Sequence, residues 1–124
     1  MIVVSEDRFP ATWSGRTVVV TAAGEVDLTN AESLRDALLS ALNAGALGLV
    51  VDLTATTFLD SAGVTALVRA SRRSAATEAT LRIAVTVGPV LRVLNLVGID
   101  QLIEVYPSVS HAVASLPEHR TEPA

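Results

Sequence analysis

The spacing of apolar positions changes several times along the chain, and each change marks an element. Residues 9–13 and 17–22 are rich in β-branched residues and are joined by Ser14, Gly15 and Arg16, which predicts a hairpin ended by Gly24. Thr29 and Glu32, three residues apart, form a capping box ahead of Leu34, Leu38, Ala41 and Leu42 at helical spacing, so a helix is expected over 30–44. The compact apolar run over 47–53, with Gly45 and Gly48 near its start and Asp52 within it, suits a central strand covered on both faces. After residues 54–59, Asp60 or Ser61 can cap a second helix with Val64, Leu67 and Val68 inward and Arg69, Arg72 and Arg73 in solvent.

A further strand is expected over 81–87. Pro89 then opens a helix carrying Val90, Val93, Leu94 and Val97, which Gly98 stops. Residues 102–106 read as the last strand, and Ser108 caps a final helix with Val109, Ala112, Val113 and Leu116 on one stripe. The order ββαβαβαβα predicts one α/β domain: a mixed, mostly parallel sheet of about five strands with about four helices. The domain is expected over 1–116, with 117–124 as a flexible tail where Pro, Glu, His, Arg and Thr replace the apolar rhythm. In such sheets sites lie at strand-to-helix ends, and two of these ends are polar: Asp27 to Asn30 and Asp60 to Gly63.

Composition narrows the chemistry. Half of the 124 residues are hydrophobic but only 3% are aromatic, so the core must be aliphatic, with Trp13, Tyr106, Phe9 and Phe58 as its only large rings. The absence of cysteine removes disulfides, thiolate metal sites and thiol catalysis. The absence of lysine removes a Walker-type phosphate lysine, a Schiff base and the lysine of a two-component receiver. A net charge of −4, with Arg69, Arg72 and Arg73 as the only basic cluster, opposes nucleic-acid binding. The longest uncharged run, residues 37–51, is 15 residues and is broken by Asn43, Gly45 and Gly48, too short for a membrane span. With no leader peptide in the opening residues, the expected location is the cytoplasm.

Ser61 sits where an apolar strand turns into a helix, between small neighbours that leave its hydroxyl accessible. It can be read as a helix cap or as a contact point for a partner. A phosphate there would meet free backbone N–H groups and the positive end of the helix dipole, and it could still block a partner by bulk and charge. A hydrolase reading fails, because Leu59 occupies the position where a nucleophile elbow requires glycine. The imidazoles, His111 on the last helix and His119 in the tail, read as surface residues. Glu25, Asp27, Thr29 and Asn30 read as a loop before a capped helix, with Mg²⁺ binding as the alternative. No catalytic residue, metal or cofactor is expected.

Two segments, GEVDLTNAESL over 24–34 and VVDLTATTFLDSAG over 50–63, resemble the STAS domain of bacterial anti-sigma factor antagonists in residues, order and spacing. The resemblance runs from about residue 9 to about 116 and takes in Pro89, Arg92, Leu94 and Gly98. It implies a binding module without enzymatic activity: the unmodified protein binds an anti-sigma factor and frees a sigma factor for transcription. The anti-sigma factor, itself a serine kinase, would phosphorylate Ser61, and a serine phosphatase would reverse the step. The implied partner surface is Asp27, Thr29, Asn30, Thr57, Asp60, Ser61, Ala62, Gly63 and Val64. Ala62 stands where the family often has a second serine, which leaves Ser61 as acceptor and Thr57 and Thr65 as distant alternatives.

Two other readings remain at this level. One is a non-phosphorylated STAS subunit of a lipid-transport or stress-signalling complex, using the same helix face. The other is a nucleotide-binding protein, which no Gly-rich phosphate loop supports. A monomer or weak homodimer is expected, without direct nucleic-acid or membrane contact.

Overall fold

The computed structural model describes residues 9–117, so His119 and residues 118–124 of the expected tail lie outside the described residues. Among the described residues are seven strands, four α-helices and a 3-10 turn. Five strands form one sheet in the order β1-β2-β4-β6-β7: β1 (Ala11–Ser14), β2 (Thr17–Thr21), β4 (Gly48–Asp52), β6 (Thr80–Ala84) and β7 (Glu104–Tyr106). β1 pairs antiparallel with β2, and every other pairing in this sheet is parallel, so the expected mixed, mostly parallel architecture is present. The hairpin turns on two residues, Gly15 and Arg16. Gly15 at φ 61 provides the left-handed first position that a tight hairpin turn requires and that a side chain would resist.

The sheet is clothed unequally. Cross-strand rows Val18, Leu49, Leu81 and Val20, Val51, Ile83 face the larger core beneath α1 (Ala31–Asn43) and α2 (Ser61–Ala76). Alternating with these rows along β4 and β6, Val50 and Ala84 point to the opposite face, where Ala112 of α4 (Val109–Ala114) covers them. β4 is therefore buried on both faces from Gly48 to Val51, as its apolar sequence up to Asp52 demands. α1 directs Leu34, Leu38, Ala41 and Leu42 inward, and α2 directs Ala66, Leu67 and Ala70 inward, with Val64 and Val68 half-buried at the edge. α3 (Pro89–Leu96) begins at Pro89 as expected and ends before Gly98, whose φ of 81 admits the left-handed stop.

Four expectations are corrected. Gly24 does not simply end the hairpin: it starts β3 (Gly24–Val26), which pairs in parallel with β5 (Thr56–Leu59) as a separate two-stranded sheet. The aromatic core is smaller than expected, since Phe9 is buried but Trp13 is 43% and Phe58 49% exposed. The capping box does not form. Asn30 is the N-cap of α1 and makes no side-chain cap bond, while the Thr29 hydroxyl donates to Asp27 Oδ1 at 2.6 Å. An ionised carboxylate two residues away is the stronger acceptor, and the Asp27 carbonyl already receives the N–H groups of Asn30 and Ala31. Finally, the strand expected over 102–106 is shorter and begins at Glu104, because the N–H groups of Leu102 and Ile103 both donate to the Ile99 carbonyl at 2.8 Å and continue the 3-10 turn of Ile99–Gln101.

Candidate functional site

The small β3/β5 sheet brings the two polar strand ends together. Val26 pairs with Leu59, and the N–H of Asp60 donates to the Val26 carbonyl at 3.1 Å, so the loop after β3 and the start of α2 lie side by side. Each end is braced internally. Asp60 has extended backbone angles and is the N-cap of α2, where its Oδ1 accepts from the Ala62 N–H at 2.9 Å and the Gly63 N–H at 3.3 Å. In the neighbouring loop Asn30 Oδ1 accepts from the Asp27 N–H at 3.0 Å and Asn30 Nδ2 donates to the Glu25 carbonyl at 2.9 Å. Asp27 Oδ1 also accepts from the Thr29 N–H at 2.9 Å. These polar side chains therefore hold backbone, which is the loop-before-helix arrangement; among the described residues no group of three or more His, Asp or Glu is placed to hold a metal ion.

The two readings of Ser61 now separate. Asp60 caps α2, so Ser61 is the first helical residue, is exposed, and its hydroxyl makes no hydrogen bond among the described residues. Its carbonyl accepts from the Thr65 hydroxyl at 3.0 Å, so Thr65 is tied back into the helix. Gly63 lets α2 approach the small sheet: a Cβ there would lie against Leu59 Cδ1 and 2.9 Å from Val26 Cγ1, both on buried residues. Gly63 is itself buried, so within the expected partner surface it supports and does not touch.

Asp27, Thr29, Asn30, Asp60, Ser61 and Ala62 form one continuous corner of the molecule. Thr57 is exposed but lines a separate hollow of about 320 Å³ with Thr86 and Pro89, and Val64 is half-buried along α2. Two apolar residues of this corner were missed by sequence reading. Leu28, 80% exposed, forms one end of a groove of about 430 Å³ between α1 and α2, next to Ala62. Phe58, 49% exposed, stands two residues before the cap. A signal was present for Leu28, which interrupts the polar stretch Asp27 to Asn30, but Phe58 stands beside Leu59 in an apolar strand, where a ring reads as core. His111 Nδ1 lies 2.6 Å from Ser108 Oγ on α4, across the main sheet from Ser61, so this imidazole is not part of the corner.

A sheet with one helix pair on one face, and a free serine at the tip of a capped helix, defines a small α/β module that presents a side chain at its surface. The STAS domain family model matches residues 8–112, and the chain belongs to that family. The fold is shared with an anti-sigma factor antagonist from Mycobacterium paratuberculosis, at 23% identity and TM-score 0.81, covering 89% of this chain and 93% of that one. It is shared with the anti-sigma factor antagonist SpoIIAA in its unphosphorylated form, at 22% identity and TM-score 0.73, covering 85% and 92%. The phosphorylated form of SpoIIAA, a Bacillus cell fate determinant, superposes at 23% identity and TM-score 0.66, covering 86% and 96%. No curated protein sequence matches this chain. No helix among the described residues is long and apolar enough to cross a membrane.

Proposed function

We propose that the protein is an anti-sigma factor antagonist of the cytoplasm, switched off by phosphorylation of Ser61. The carrying observation is the Ser61 hydroxyl: exposed, unbonded among the described residues, and relieved of capping by Asp60. A serine whose oxygen already held the helix end would lose that bond on modification; this one has none to lose. The bound partner is an anti-sigma factor of the serine-kinase type, seated on the corner formed by Asp27, Thr29, Asn30, Asp60, Ser61 and Ala62, with exposed Leu28 and Phe58 as apolar anchors. Phosphorylation adds nearly two negative charges at the middle of that contact, and a serine phosphatase resets the switch. The domain acts as kinase substrate and binding module, with no reaction of its own. The likeness to SpoIIAA, known in phosphorylated and unphosphorylated forms, supports this reading.

The test is to incubate the full chain with radiolabelled ATP and each anti-sigma serine kinase of its own organism. One kinase labels the wild type and not Ser61→Ala, and Ser61→Glu binds that kinase about a hundredfold more weakly than wild type. Equal labelling of wild type and Ser61→Ala, or no labelling by any of these kinases, would reject the assignment.

A further inference from the structure

A second surface on α2 lies beyond the Ser61 corner. A groove of about 620 Å³ runs along the helix, with Leu39 of α1 and Val64 and Val68 of α2 as its apolar floor and Arg69, Arg72 and Arg73 along it. Three of the nine cations of a chain with net charge −4 are thus gathered in five residues around one apolar trough.

Bland explanations account for only part of this. The helix dipole favours a cation in the last turn, which holds Arg73 but not Arg69. Arg73 is also positioned from below, since its Nε donates to Asn43 Oδ1 at 2.9 Å across the α1/α2 seam. Arg69 and Arg72 are exposed and have no carboxylate partner among the described residues. The nearest acidic residues on α1 are already engaged, Glu32 at 3.7 Å and Asp36 at 3.0 Å from Arg35. The charge of the groove is therefore not cancelled by the protein itself.

We propose that this groove is a docking seat for an acidic amphipathic helix of a protein partner. The apolar floor selects a helix with anchors at i, i+3, i+4 and i+7, and flanking carboxylates on that helix would meet the paired donors of the arginines. Nucleic acid fits less well, because a phosphate backbone has nothing to place on Leu39, Val64 and Val68 and the rest of the molecule repels it. The seat rests on the reading of α2 as the partner-facing helix, and it adds a contact that holds the partner independently of the state of Ser61.

The test uses the full chain and two synthetic helical peptides with identical leucine anchors, one flanked by glutamates and the other by lysines. Binding is followed by fluorescence anisotropy and by amide chemical shifts of labelled protein. The acidic peptide binds with a Kd below about 1 mM, shifting Leu39, Val64, Val68, Arg69 and Arg72, and the lysine peptide binds at least about tenfold more weakly. The double variant Arg69→Glu/Arg72→Glu weakens the acidic peptide at least about tenfold, and the milder Arg69→Gln/Arg72→Gln moves in the same direction if charge reversal disturbs folding. Equal binding of the two peptides, shifts confined to other surfaces, or displacement by a single-stranded oligonucleotide that binds as tightly would overturn the proposal. Since no kinase takes part, failure here leaves the labelling of Ser61 to be judged by its own experiment.

Discussion

Replacing Gly63 with alanine sets helix propensity against packing at the joint that positions Ser61. Alanine in a helix interior is favoured over glycine by about 0.5–1 kcal/mol, an upper bound at Gly63 in the first turn of α2. Here the new methyl would press on Leu59 Cδ1 and come within 2.9 Å of Val26 Cγ1. Leu59 is 3% and Val26 0% exposed, so neither side chain can swing into solvent to make room. Overpacking a filled site costs about 1–3 kcal/mol. The packing penalty exceeds the propensity gain, and a net loss of about 1–2 kcal/mol is expected, lowering Tm by roughly 3–8 °C for a domain of this size. Urea titration followed by the single Trp13 and by far-UV circular dichroism measures the change directly. Ala62→Gly, one residue earlier, in the same first turn and half-buried, serves as the propensity control and should cost at most about 0.5–1 kcal/mol. A Gly63→Ala protein as stable as wild type, or more stable, would show that α2 does not approach β3 and β5 as closely as argued.

The other predictions concern the same helix end. Asp60→Ala removes the acceptor of the Ala62 and Gly63 N–H groups and should lower stability by about 1 kcal/mol, while Asp60→Asn keeps most of the cap; urea midpoints of the three proteins decide it. Ser61→Glu should leave Tm unchanged or raise it by up to about 4 °C, because a carboxylate at the first helical position gains about 0.3–1 kcal/mol from the helix dipole and the serine hydroxyl held no bond. A clear loss of Tm, seen by circular dichroism, would mean that the hydroxyl is needed for the fold.

Much of this architecture was legible because it rests on local rules. The compact apolar run of β4 announced a strand covered on both faces, and Pro89, Gly98 and Ser108 marked helix ends that the structure keeps. What sequence could not show was set by tertiary contact. β3 is three residues long and contains Gly24 and Glu25, so it has no alternation to detect; it exists because β5 offers it a partner. The capping box was written correctly in residue types but lost to Asp27, an acceptor whose position depends on the turn. Ser61 could be placed at a helix start from sequence, yet whether its oxygen was used depended on whether Asp60 or Ser61 took the cap position, a difference of one residue. Phe58 was read as a core ring and Leu28 was not singled out: apolar character is a property of a residue, whereas exposure is a property of the place the fold gives it.

The way the corner is built bears on how it could switch. Asp60, Asn30 and Asp27 all turn their side chains onto backbone, so the frame of the two loops does not depend on Ser61. Gly63 fixes the distance of α2 from the small sheet, and the residues beneath, Val26 and Leu59, are buried and closely packed. A group added to the Ser61 oxygen would thus find a rigid platform and a helix end that welcomes negative charge. On the proposed reading, modification changes the surface a partner meets and leaves the fold beneath it alone. A rearrangement of α1 against α2 would instead have to break the Arg73 to Asn43 tie and the buried seam of Leu34, Leu38 and Leu67, far more than one phosphate at an exposed helix tip can drive.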